Sequence, residues 1–206
     1  MSAERSADDL GRQPAPSSAR LVAPATRWRR SFLDALAEDQ REGRHEELDA
    51  TLLEAPGEFG RYVAALRHDA ESPGALARYV WSLRDKEPPC KPGGYVPQSI
   101  LWWAQGDEYL GRLTIRHRLT LDLLYEGGHI GYEVRPSARG RGHATAMLAA
   151  ALPLAAELGL KKALIDCDPA NVASRRVIEK NGGEFDRECD DELYFWVPTS
   201  LRCERA

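Results

Sequence analysis

Residues 131–144 read GYEVRPSARGRGHA. An extended stretch ending at Val134 runs into a turn, and Arg139-Gly140-Arg141-Gly142 leads directly into a long apolar-patterned segment. The first N–H groups of a helix have no partner within it, and the helix dipole adds roughly half an elementary charge at that end. Glycines at such a turn remove the side chains that would hold a ligand off the backbone. Three arginines, Arg135, Arg139 and Arg141, add positive charge in a chain whose net charge is -4. The combination predicts an anion site, most naturally for a phosphate or pyrophosphate. Neither G-x-G-x-x-G nor G-x-x-x-x-G-K-S/T occurs here, so it is not a dinucleotide fingerprint or a P-loop.

Working outward, the helix after the turn is expected over 138–158, with Met147, Leu148, Ala151, Leu152, Ala155 and Leu158 on one face. Pro153 lies inside it and predicts a kink or curved path, since an interior proline costs about 3 kcal/mol. Strands are expected at 99–104, 109–116, 129–134 and 162–167, then a helix at 172–180 and a hairpin of 184–189 with 193–197. Upstream, Leu21 and Val22 suggest a short strand. Apolar residues at helical spacing predict helices over 28–43, around Phe59, Tyr62, Val63 and Leu66, and over 76–83. Residues 86–98, KEPPCKPGGYVPQ, must form a loop, and 119–125 a short helical link. The expected fold class is α/β, a mixed central β-sheet flanked by helices.

The length of 206 residues fits one domain, expected over 19–203 behind a disordered leader at 1–18. A small negative charge gives no reason to expect nucleic acid or an anionic membrane as partner. No apolar run approaches the roughly 20 residues that span a bilayer, and the first residues lack a secretory h-region, so a cytoplasmic location is expected. Cys90, Cys167, Cys189 and Cys203 contain no C-x-x-C pair; free thiols and no metal are expected. Residues 31–60 carry nine acids against two arginines, which reads as a solvated helix face or an attraction for a cationic acceptor. Tandem Trp102 and Trp103 should point one ring to each face of a strand, one in the core and the other packed or lining an acceptor cleft.

The turn and the segments downstream of it resemble the GNAT superfamily of acetyl-CoA-dependent N-acetyltransferases. That family's pyrophosphate signature is Q/R-x-x-G-x-G/A, met by Arg139-Gly140-Arg141-Gly142-His143-Ala144 at all three specified positions. Asn171-Val172-Ala173-Ser174 and Glu179-Lys180-Asn181-Gly182-Gly183 resemble its second cofactor motif, N-x-x-A/S followed by E-K-x-G-F, with Gly183 in place of Phe. The resemblance spans about 21–197 and is strongest over 128–183. It implies a GNAT fold whose splayed strands form an acetyl-CoA site. The main chain at Val134, parting from Asp166, would pair with the pantetheine arm. Amides of Arg139, Gly140, Arg141, Gly142, His143 and Ala144 would hold the pyrophosphate, and Asn171 would bond the arm. The implied activity is direct acetyl transfer to a primary amine in a ternary complex. A non-catalytic acyl-CoA-binding or sensing module on the same fold is the alternative.

Within the family, N-x-x-S with V-I-E-K-N-G-G is most similar to the ribosomal-protein N-terminal acetyltransferase branch. The acceptor is then a protein N-terminus or a small amine, and a homodimer is compatible with the resemblance. Many members carry a tyrosine seven residues after the Asn, where it protonates the CoA thiolate; this chain has Ile178. Ser174 is the remaining hydroxyl, a poor acid that could still hydrogen-bond the sulfur. For the base, His129 and Glu133 lie four apart on a strand and so on one face. His129 would act directly or through water, or is a packed, hydrogen-bonded core residue, as strand histidines more often are. Glu133 is its orienting partner or a rim carboxylate, and the spacing does not separate these options.

Overall fold

The computed structural model describes residues 18–84, 86–91 and 93–200. The expected leader, except Ser18, and Cys203 lie outside these residues. One antiparallel sheet contains β1 (Arg20–Val22), β2 (Gln98–Gln105), β3 (Glu108–Arg116) and β4 (Ile130–Val134), in that order. A second contains β5 (Lys162–Cys167), β6 (Glu184–Cys189) and β7 (Glu192–Pro198), with β7 in the middle. The expected central sheet thus consists of two antiparallel halves. They meet where β4 begins: His129 N donates to Leu164 O at 2.7 Å, and Leu164 N donates to His129 Nδ1 at 3.0 Å. Past this joint the strands part. Ile130, Gly131 and Tyr132 face Ile165, Asp166 and Cys167 across a space rather than a ladder.

The helices are α1 (Arg29–Arg41), α2 (Ala50–Glu54), α3 (Glu58–His68), α4 (Ala75–Ser82), α5 (Leu121–Tyr125), α6 (His143–Glu157) and α7 (Val172–Lys180). Alternation along β2 builds two cores. Trp102, fully buried, packs with Phe32, Trp28 and Tyr109 on the side of α1 and α3; its ring stacks on Phe32 with centroids 5.2 Å apart. Trp103 faces the opposite core with Met147, Leu148 and Ala151 of α6 and Phe195 of β7. Both indoles are therefore packed, and neither lines the groove.

Three local departures have clear causes. Helix α6 begins at His143 rather than 138, because Pro136–Ala138 form one 3-10 turn and Gly140 and Gly142 take left-handed φ of 76° and 81°. Pro153 lies inside α6 without ending it. Helix α2 was not expected; Asp49 starts it by accepting from Thr51 N at 2.8 Å and Leu52 N at 3.4 Å. Gly183, the departure from the second motif, is a point of close approach. A Cβ there would lie 2.4 Å from Ile178 Cγ2 and 2.9 Å from Ile178 O.

Candidate functional site

The space between β4 and β5 opens into a groove of about 700 Å3 over the first turn of α6 and one side of α7. Its walls include Val134, Arg139, Gly140, Gly142, His143 and Ala144 from the turn, and Asn171, Ser174, Arg176 and Lys180 from α7. A smaller compartment of about 240 Å3 continues between the strands, lined by Gly131, Ile165, Asp166 and Cys167 among others. Tyr132, Asn171 and Ser174 line both.

The larger compartment suits an anion. Gly142 is the N-cap of α6 and has no side chain to satisfy the first-turn amides. A Cβ built at Gly140 or Gly142 meets nothing within 4 Å, so the turn is bare toward the open space. His143 is fixed by Trp103, whose Nε1 donates to its Nδ1 at 3.2 Å. Asn171 caps α7, its Oδ1 accepting from Ser174 N at 3.0 Å, which leaves its Nδ2 available to the groove.

The expected arginine trio is dispersed, and this corrects the electrostatic part of the sequence reading. Arg135 is buried and forks onto Glu38 of α1, with further bonds to Ser31 Oγ and Tyr109 O. Burial would raise the Glu38 carboxyl, but Arg135 and Ser137 outweigh it and hold it at about 2. Arg139 does line the groove, but its two terminal nitrogens bond Glu42 at 3.1 and 2.8 Å and its Nε donates to Val134 O at 3.3 Å. Arg141 is exposed and does not line the wall. The cations on that wall without an ion pair among the described residues are Arg176 and Lys180. They sit four apart on one face of α7 with Ala173 and Val177, a spacing that the sequence carries without marking it as a site.

The acidic stretch is correspondingly not a plain solvated face. Glu38 and Glu42 reach the turn before α6, Asp39 pairs with Arg44, and Glu47 bonds His45. The Glu38 and Glu42 contacts fasten the N-terminal helices to the groove.

Of the options open for His129 and Glu133, the structure shows the packed histidine and not a His129–Glu133 pair. His129 is buried at the joint, where its Nδ1 accepts from Leu164 N, so the neutral ring carries its proton on Nε2. Burial, with Arg116 nearby, pushes it down to about 4. A ring with its lone pair engaged and outside the groove walls is a strut rather than a base. Glu133 does line the groove, but its partners are His45 Nε2 at 2.7 Å and Arg112 Nε at 2.6 Å. Burial acts to raise this carboxyl; Arg112 and His45 outweigh it and hold it at about 2. His45 in turn is lifted to about 9, chiefly by its bonds to Glu133 and Glu47. It sits at a left-handed φ of 55°, costly for a residue with a Cβ. Neither His45 nor Arg112 stands out in the sequence. No pattern announces a partner 88 positions away.

Ser174 lies at the first turn of α7, its Oγ 2.9 Å from Tyr132 Oη, which also donates to Ser174 O at 3.3 Å. Ile178, one turn on, is fully buried in the core. Cys167 lines the smaller compartment, and burial raises its thiol to about 11. Among the described residues no His/Cys/Asp/Glu group could hold a metal ion, and no helix is long and apolar enough to cross a membrane.

Two sheets parted at one joint, with an uncapped, glycine-lined helix start beside the gap, make a groove suited to an elongated ligand with an anionic group. The model of the acetyltransferase (GNAT) domain matches residues 41–184, and the chain belongs to that family. Among solved structures it is similar to a putative ribosomal-protein-serine acetyltransferase from Vibrio cholerae, at 12% identity over 87% of this chain and 93% of that one, TM-score 0.55. It is similar to yncA, a putative acetyltransferase from Salmonella typhimurium solved with its cofactor acetyl-CoA, at 11% identity over 90% and 95%, TM-score 0.52. A shorter match to the GNAT domain of S. lividans PAT has 20% identity over 50% of this chain and 61% of that one, TM-score 0.44. No curated protein matches the chain.

Proposed function

We propose that this chain moves an acetyl group from acetyl-CoA to a primary amine by direct attack within a ternary complex. The observation that carries this is the bare, uncapped start of α6 opening onto a groove that continues between β4 and β5. An anion bound there would gain several backbone N–H donors and the helix dipole. Amides from Arg139 to Ala144 would hold the pyrophosphate, with Arg176 and Lys180 adding charge from α7. The pantetheine arm would pass along the main chain at Val134, within reach of Asn171 Nδ2. The thioester would then lie where the two compartments meet, and an amine entering by the smaller one can reach its carbonyl carbon.

Direct attack fits the groups present. Cys167 stays a neutral thiol near neutral pH and has no histidine bonded to it among the described residues, so an acyl-cysteine route lacks its activated nucleophile there. His129 and Glu133 are engaged elsewhere, and the amine's proton leaves to water in the open groove. Glu133 serves instead as the wall residue that pairs with His45 and Arg112 behind it. The acceptor is a protein N-terminus or a small amine, both of which this geometry serves.

The test is acetyl-CoA cleavage against peptides with free N-termini, polyamines and aminoglycosides, with acetyl-CoA binding measured by calorimetry in parallel. An acetylated amine confirmed by mass, and initial-rate lines that intersect rather than run parallel, are expected. Tight binding without turnover on any amine would identify a sensing module, and no binding would remove acetyl-CoA altogether.

A further inference from the structure

A proton delivered to sulfur assists loss of the thiolate from a thioester, and a residue that supplies it must stand where the two compartments join. Tyr132, Asn171 and Ser174 are the residues lining both. Asn171 has no acidic proton, which leaves the two hydroxyls. They face each other at 2.9 Å, one from β4 and one from the first turn of α7. Thr145, another hydroxyl residue on the walls, lines only the larger compartment beside the glycine turn. Ile178 faces the core and offers none.

We propose that Tyr132 is the proton donor to the departing CoA thiolate, with Ser174 as the residue that positions its hydroxyl. This rests on the proposed acetyl transfer. The amine nitrogen forms a bond to the thioester carbonyl carbon, the C–S bond breaks, and its electron pair goes to sulfur. The Tyr132 Oη proton passes to that sulfur, while Ser174 Oγ donates to the phenolate oxygen as it gains charge. The proton lost by the amine goes to water, and Tyr132 recovers one from water; the products are the amide and CoA thiol. Two features keep Tyr132 ready. Its Oη is aimed at Ser174, and burial raises its hydroxyl to about 12, against the pull of that hydrogen bond, so it carries its proton at every working pH. A serine alone is the poorer acid, and here its neighbour supplies the better one.

The experiment compares Tyr132→Phe and Ser174→Ala with the wild type. Phenylalanine keeps the ring's packing, so the melting temperature and the acetyl-CoA Kd should stay within about 3-fold of wild type, which is under 1 kcal/mol. kcat for amine acetylation should fall by about 10²-fold or more, the usual scale of acid catalysis. Ser174→Ala should lose less. A fluorotyrosine placed at position 132 should keep activity near neutral pH and bring the alkaline fall in kcat to lower pH, which a purely structural hydroxyl would not do. An unchanged kcat in Tyr132→Phe, a parallel loss of binding and turnover, or a larger loss in Ser174→Ala would each overturn the assignment. Absence of turnover in the wild type overturns the acetyl-transfer reading itself, and this role with it.

Discussion

A Cβ at Gly142 would meet no protein atom within 4 Å, so the room beside it is free for whatever lies on the turn. Gly142→Val fills that room and forces a β-branched residue into a left-handed φ of 81°, a strain of about 1–2 kcal/mol. Loss of one charge-assisted contact costs about 1.5–3 kcal/mol, so the acetyl-CoA Kd should rise at least about tenfold by calorimetry. Gly142→Ala carries similar strain with less bulk and separates the two effects: its Kd should rise less while its melting temperature falls comparably. Unchanged binding in the valine variant would place the cofactor elsewhere. Arg176→Gln and Lys180→Gln should each weaken binding by about 0.5–1 kcal/mol, shrinking as salt rises, because exposed charges are screened. Arg141→Gln should do less, since Arg141 lies off the wall. At this scale the bare turn was legible, because glycines directly before an apolar helix are the residues that take left-handed φ there without strain. The charges were not. Arginines at positions 135, 139 and 141 look alike in sequence, and only the arrival of Glu38 and Glu42 from α1 distinguishes them.

Helix α1 reaches the turn before α6 through two carboxylates with different surroundings. Glu38 and Arg135 are largely buried, while Glu42 and Arg139 are each more than 40% exposed in their side chains. Glu38→Ala should therefore be costly, about 3 kcal/mol by denaturant titration, because it leaves the buried Arg135 guanidinium with only Glu108, 4.0 Å away and largely exposed, as counter-charge. Glu42→Gln should hardly change stability. It releases Arg139 and removes a negative charge from the groove wall, so acetyl-CoA should bind about 2- to 5-fold more tightly at low salt, the scale of an exposed pair. Weaker binding in that variant would mean Glu42 aims Arg139 at the ligand instead of withholding it. The elements themselves were largely readable, since apolar periodicity gives α1, α3 and α6 and alternation gives β2 and β3 with a tryptophan for each core. The start of α6 was misplaced because Pro136 and Ala138 suit a helix, while two left-handed glycines downstream delay it. Helix α2 was missed because five residues hold too little periodicity and depend on the Asp49 cap.

Across the whole molecule, the N-terminal helices are fastened to the groove by Arg135–Glu38, Arg139–Glu42 and His45–Glu133. The last of these makes stability depend on pH. His45 rises from its ordinary 6.5 to about 9 on folding, so its contribution is complete below pH 6.5 and is lost as pH rises through 9. Glu133 drops from 4.5 to about 2, so its contribution is complete above pH 4.5 and is lost as pH falls through 2. His129, lowered from 6.5 to about 4, adds an acid limb: its contribution is complete above pH 6.5 and lost as pH falls through 4. Stability should therefore peak near neutrality and fall on both sides. His45→Gln keeps a donor for Glu133 but has no proton to lose. At pH 7 it should melt about 3–6 °C lower, given about 1.5 kcal/mol for a hydrogen bond between charged groups and about 2–4 °C per kcal/mol in a chain of this size. Between pH 6.5 and 9 the wild type should lose that advantage, and above pH 10 the two melting temperatures should converge. The limb below pH 6.5, set by His129, should persist in the variant. Parallel curves across the alkaline range would show that the His45–Glu133 pair does not couple the helices to the groove.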